Sequence, residues 1–226
     1  MLRIARFMLC TCLASAARAQ VVTVDEGSFA LVRNGERIGR EDFSIRSAPS
    51  AAGRMFVTQG TVVTGTHRLA PGLNADTAGF PVRYQVEVRE DRQVTESYAG
   101  QSAGNRYSSR SQRDDGESAR EYRLPSGTVA AEDGVIHHLW FVVRRGAGSR
   151  VPVLAPRRGT LDTLSVELVG TERLTIDVRE FEARHFRVRG GSDVSIRDIW
   201  VDLQGRLLKV SIPSSKFVAV REEGPR

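Results

Sequence analysis

Cysteine is almost missing from this sequence: the two present, Cys10 and Cys12, both fall near the N-terminus. The rest of the chain therefore forms no disulfide, no thiolate metal site and no cysteine nucleophile. Lysine is nearly absent too, with only Lys209 and Lys216 among 33 basic residues. The arginines that take its place are interleaved with Asp and Glu and make no basic block, which argues against a nucleic-acid surface. No G-x-G-x-x-G, P-loop or H-E-x-x-H pattern occurs, so nucleotide binding and zinc hydrolysis have no support. Past the N-terminus no run is apolar enough to span a bilayer as a helix. Neither a cofactor nor a metal is expected.

What is present begins with a targeting pattern. Arg3 and Arg6 precede a short apolar stretch, Ile4 to Ala17, which ends in Ala17-Arg18-Ala19. This reads as a secretory signal peptide over residues 1–19, cleaved before Gln20. The expected product is a periplasmic or secreted chain, 20–226, with no transmembrane span. Loss of three arginines takes the net charge from +6 to +3. No repeat or composition break divides the remainder, so a single domain is expected.

Period-two alternation is the dominant signal. In 82-VRYQVEVRE-90, Val82, Tyr84, Val86 and Val88 alternate with charged or polar residues, as in a half-buried antiparallel strand. The same rhythm runs through Leu164, Val166 and Leu168, through Leu174, Ile176 and Val178, and through Leu208, Val210 and Ile212. Turn residues separate the runs: Asn34-Gly35, Gly79-Phe80-Pro81, Asp115-Gly116, Gly190-Gly191 and Gln204-Gly205. Asn-Gly is a strong hairpin signal because a type I′ turn needs positive φ at both central residues. The spacing predicts about a dozen strands.

One segment departs from this rhythm. In 133-DGVIHHLWFVVRRGAG-148, Ile136, Leu139, Trp140 and Val143 share a helical face, with Asp133 placed to cap it and Gly146 to end it. Its Val, Ile, Trp and Phe content favours a strand instead. A short helix covering the concave face of a curved sheet is the preferred reading.

Several residues are candidates for chemistry. Gly100-Gln101-Ser102-Ala103-Gly104 fits the G-x-S-x-G nucleophile elbow, but no helix pattern follows it and no βαβ rhythm surrounds it, so Ser102 reads as part of a Gly-rich hairpin. His137 and His138 are neighbours whose side chains should diverge, which makes them poor joint metal ligands. The adjacent carboxylates Glu41-Asp42, Asp114-Asp115 and Glu132-Asp133 read as solvated turns and strand edges rather than a glycosidase pair. Trp140 and Trp200 read first as core anchors. Trp140 and Phe141 are also the best candidates for an apolar ligand surface, with His137 and Arg157 as polar contacts.

Three stretches, 35-GERIGREDFSIR-46, 132-EDGVIHHLWFVVRR-145 and 199-IWVDLQGRLLKVSIP-213, resemble in this order a bacterial family of secreted proteins of unknown function. The last, with Trp200, Asp202, Gly205, Leu207, Leu208 and Lys209, is similar to hairpins of the lipoprotein-carrier (LolA/LolB-like) superfamily. The resemblance implies an all-β fold: a strongly curved antiparallel sheet, an incomplete β-barrel, with at most one or two short helices. In the carriers such a concavity shelters acyl chains. The expected function is non-enzymatic binding of a lipid, lipidated or other amphipathic ligand in that concave face. The alternatives are an envelope protein with a filled core that binds a protein partner, and an envelope hydrolase using Ser102 or a His–carboxylate pair.

Overall fold

The computed structural model describes residues 20–190 and 196–225. The expected signal peptide, residues 1–19, and Gly191 of the expected Gly190-Gly191 turn lie outside them. Among the described residues fifteen strands form one sheet. The first eight are β1 (Val22–Arg33), β2 (Glu36–Ser50), β3 (Gly53–Thr64), β4 (His67–Asp76), β5 (Pro81–Glu90), β6 (Gln93–Ala103), β7 (Arg106–Arg113) and β8 (Gly116–Arg123). They pair in sequence order as one antiparallel meander. After β9 (Val129–Ala130) and the one-turn helix α1 (Leu139–Val143) come β10 (Arg150–Ala155), β11 (Thr160–Ile176), β12 (Arg179–Gly190), β13 (Arg197–Val201), β14 (Leu207–Ile212) and β15 (Phe217–Arg221). The last strand returns to pair with β1.

The edges of the sheet are β8 and β9, so it is curved but not closed by a backbone ladder. Every pairing is antiparallel except that of β9 with β10. Side chains meet across the open seam instead: Tyr107, Leu124 and Leu154 pack together there, and the Arg120 guanidinium donates to the Arg158 carbonyl at 3.3 Å.

The Asn34-Gly35 turn has φ of 53° and 85°, the positive values that a type I′ hairpin demands. Gly39 serves another purpose: a Cβ there would collide with the Val63 carbonyl on the neighbouring strand. Alternation holds wherever the ladder is regular and fails at bulges. In β5, Tyr84, Val86 and Val88 are buried. Val82 is turned outward, because a register shift between Asn74 and Ala75 on β4 leaves it without a partner. Leu164 and Val166 face the core, whereas Leu168 is exposed beside the shift at Leu168/Gly170, where the β11–β12 hairpin leaves the barrel wall. Val178 sits at that hairpin's tip and is exposed.

Two apolar layers result. The inner one fills the barrel, with Phe29, Phe43, Ile45, Tyr84, Phe141 and Phe186 among its members. A smaller outer one forms where the β11–β12 hairpin covers Trp200, through Ile176, Ala183 and Leu208. A register shift between Trp200 and Val201 sends Leu208 to this outer layer, although Val210 faces the inner one.

The 133–148 segment is helical only over Leu139–Val143. Its N-cap is His138, without a side-chain cap bond, and not Asp133. All five helical residues are buried, so the strand-favouring side chains are tolerated because tertiary packing outweighs their propensity.

Candidate ligand-binding site

The cover segment is tied down by buried polar groups before the helix begins. Glu41 on β2 shares parity with Phe43 and Ile45 and points inward with them. Its carboxyl accepts three N–H bonds: from the Ile136 backbone at 2.7 Å, the His137 backbone at 2.8 Å and His137 Nδ1 at 2.7 Å. The His137 ring stacks on Phe43, centroids 5.5 Å apart. Gly60 leaves room for it, since a Cβ there would lie 2.7 Å from His137 Cε1.

His138 takes the opposite role. Its Nδ1 accepts the Glu132 backbone N–H at 3.1 Å, which places the proton of the neutral ring on Nε2. Burial, with His137 beside it, holds this imidazole well below the ordinary histidine range. The two rings lie 4.6 Å apart, edge to face. The expected divergence of neighbouring side chains fails here because both residues sit in the turn entering α1, not in a strand. Among the described residues no three metal-ligating groups converge.

Glu132 is the second inward carboxyl. Burial raises it to about 6 despite the nearby Arg157 cation. It accepts from the Arg157 backbone N–H at 3.2 Å and the Asp133 N–H at 3.1 Å. Burial and the Glu132 charge together raise the Tyr84 hydroxyl. Of the two carboxylate pairs Glu41-Asp42 and Glu132-Asp133, one member of each is thus buried and only the other is solvated.

The four residues chosen from sequence fall in three places. Trp140 and Phe141 pack edge to face against Phe56 in the core. His137 is bound to Glu41. Arg157 bridges Glu96 at 3.0 Å and approaches Glu132 at 3.9 Å. Most of the concave face is therefore occupied by the chain's own side chains. Ser102 lies within β6, and its hydroxyl donates to the Pro81 carbonyl at 2.5 Å. Gly100 lies under the Tyr107 ring, and Gly104, with φ 61°, makes the turn. The G-x-S-x-G pattern thus has a structural account at each fixed position, and no strand-to-helix corner follows it.

One of several hollows among the described residues lies beside the cover, at one mouth of the barrel. A cavity of about 260 Å³ opens there. Val135, Ile136, Leu139, Val153, Leu164 and Phe217 give it an apolar lining, and Arg33, Arg158, Arg197, Glu132, Asp133 and Asp162 add charged groups to its wall. Arg158 pairs with Asp133 at 2.5 Å. None of Trp140, Phe141, His137 and Arg157 lines it. Sequence reading did not bring these residues together because they come from six separate segments; Asp133, Ile136, Leu139 and Leu164 carried only secondary-structure signals, and Glu132 only its place in a carboxylate pair.

Fold and site define a class: an open, barrel-like single sheet with a filled interior and an amphipathic pocket at one mouth. A solved β-barrel-like protein of a domain of unknown function, DUF1849, from Brucella abortus has a similar fold, with a TM-score of 0.55 over 87% of this chain and 94% of that one. The two sequences are 8% identical, so the likeness concerns the fold alone. No protein-family model and no curated protein matches the sequence.

Proposed function

We propose that this is a cell-envelope protein, periplasmic or secreted once residues 1–19 are removed, which binds an amphipathic, lipid-like ligand without catalysis. The observation that carries the reading is the mouth cavity: about 260 Å³, apolar within and ringed by arginines and carboxylates. That is just below the ~300–1,000 Å³ usual for small-molecule sites, with the expected few polar groups on apolar walls. Each buried methylene contributes about 0.8 kcal/mol, so a partly inserted acyl chain suffices for binding. In this reading Trp140, Phe141 and His137 hold the cover against which the ligand rests. Arg157 steadies Glu132 on the cavity wall.

The test is titration with a fluorescent fatty-acid probe. Saturable binding of one probe per chain is expected, weakened at least tenfold by Ala155→Trp, which fills the cavity from its half-buried wall. No probe binding, or equal binding by A155W, overturns the reading. A second reading, a partner-binding envelope protein with a filled core, is favoured by one observation: the carrier-like concavity is occupied by Trp140, Phe141 and their neighbours. It predicts no lipid co-purifying with the chain and a protein partner recovered by crosslinking in the envelope fraction.

A further inference from the structure

The open seam between β8 and the β10–β11 turn carries a second, separate cavity of about 30 Å³. Its walls come from four places: Tyr98 on β6, Ser109, Ser111 and Arg113 on β7, Ser118 and Arg120 on β8, and Pro156-Arg157 in the turn. The arginines outnumber their anionic partners. Glu96 serves both Arg113 and Arg157, each at 3.0 Å, and takes Ser111 at 2.9 Å as well, and Glu132 stands 3.9 Å from Arg157, so three guanidinium groups face two carboxyls. Burial works against the Glu96 charge, but these donors outweigh it and lower its carboxyl. Arg120 meets two neutral groups, the Arg158 carbonyl and the Tyr122 hydroxyl.

The fourth wall group is a phenol. Tyr98 is 6% exposed, and its buried hydroxyl lies near Ser109 and Tyr107 without a well-formed hydrogen bond to either. A buried hydroxyl without a partner is unfavourable, and an anion that accepts from it removes that cost. A site with surplus guanidinium charge and an unpaired O–H donor suits an acceptor-only, negatively charged group. Size narrows the class. About 10–15 Å³ is needed per water-sized atom, so the cavity takes one halide or the two oxygens of a carboxylate. Phosphate is too large.

We propose that the seam binds a single monovalent anion of halide or carboxylate size, held by Arg120, Arg157 and the Tyr98 hydroxyl. Such an anion links β8 to the β10–β11 turn, where the sheet has no backbone ladder. It therefore clamps the two edges of the barrel. The site does not rest on the amphipathic-ligand reading, with which it shares only Arg157, the partner of Glu132.

The test uses the full mature chain, with gluconate replaced stepwise by bromide or by acetate at fixed ionic strength, so that general screening is constant. Thermal midpoint and amide exchange of residues 116–123 are followed. In the wild type the midpoint rises saturably with bromide, acetate or both, and exchange in β8 slows. In Arg120→Gln and in Tyr98→Phe the half-saturating concentration rises at least tenfold. Phe217→Ala, which alters the mouth cavity away from the Pro156-Arg157 wall, leaves the half-saturating concentration unchanged, which separates this site from the mouth cavity. A response to bromide alone assigns a free halide, and one to acetate alone a carboxylate. Crystals soaked in bromide or acetate show density between Arg120 and Arg157. No saturable response, an equal response in R120Q, or density only elsewhere overturns the proposal.

Discussion

Glu41 Oε1 lies 2.7 Å from His137 Nδ1, with both side chains fully buried and 96 residues apart in sequence. The carboxyl is also the acceptor for two backbone N–H groups at the entrance to α1. One side chain thus fixes the cover segment onto β2. Removing the carboxyl leaves three buried N–H donors without an acceptor, at about 1–3 kcal/mol each and about 3–5 kcal/mol together once the cover relaxes. Glu41→Ala is expected to destabilise by about that amount in urea unfolding and to raise amide exchange over residues 132–143. Asp42→Asn, at the exposed neighbour, is expected to change neither.

Glu132 and His138 impose opposite pH dependences. Glu132 is raised from 4.5 to about 6 by burial. The folded state therefore holds its proton more tightly, and stability falls as pH rises from about 4.5 to about 6. At about 1.4 kcal/mol per pKa unit the loss is on the order of 2 kcal/mol. His138 is lowered from 6.5. The unfolded chain binds that proton first, so stability falls as pH drops below 6.5, by up to about 1.4 kcal/mol per pH unit. Where both groups titrate, the two slopes oppose each other. Glu132→Gln is expected to expose a steep acid loss, and His138→Asn a curve that declines towards neutral pH. Chemical denaturation at half-unit steps checks both; parallel curves for the three proteins would contradict the assignment.

Much of the fold was legible in the residues, and the reasons are local. Asn34-Gly35 specified its turn, and Tyr84, Val86 and Val88 specified an inner face. Val82 and Leu168 misled because bulges shift the phase, and a bulge leaves no mark in a period-two pattern. Glu41 was readable in retrospect: it keeps step with Phe43 and Ile45, so alternation alone sends it inward. Its charge suggested solvent, and its partner lies in a segment whose conformation depends on packing. The mouth and seam cavities were not legible. Their walls join residues such as Arg33 with Phe217, and Arg113 with Arg157, and only the closing of the meander onto its return strands makes them neighbours.

Trp200 links sequence motif to packing. It stacks on His185, centroids 4.4 Å apart, carries Lys209 Nζ 4.6 Å from its ring, and donates its indole N–H to Glu172. Asp202 fixes the following turn by accepting from the Arg206 N–H at 2.8 Å and Nε at 2.7 Å. The final hairpin motif therefore builds the outer layer. Trp200→Ala is expected to cost about 3–5 kcal/mol, as for a large core aromatic, and to free the β11–β12 hairpin for proteolysis. The mouth cavity, on the inner face, should keep its probe affinity under conditions where the variant remains folded.

Ser102 and Gly100 separate a structural from a catalytic G-x-S-x-G. Ser102→Ala removes one hydrogen bond to the Pro81 carbonyl and is expected to cost about 1 kcal/mol, with ester hydrolysis indistinguishable from wild type. Gly100→Ala is the more damaging change, because a Cβ there meets the Tyr107 ring, which is fully buried. Overpacking of this kind costs about 1–3 kcal/mol. In a Tyr107→Ala background the obstacle is gone, so the same substitution should then cost little. A double-mutant cycle by urea unfolding measures the difference. A coupling of at least about 1 kcal/mol is expected between sites in contact. Additivity would refute the close contact of Gly100 with Tyr107, and loss of an esterase activity in S102A alone would return Ser102 to the role of nucleophile.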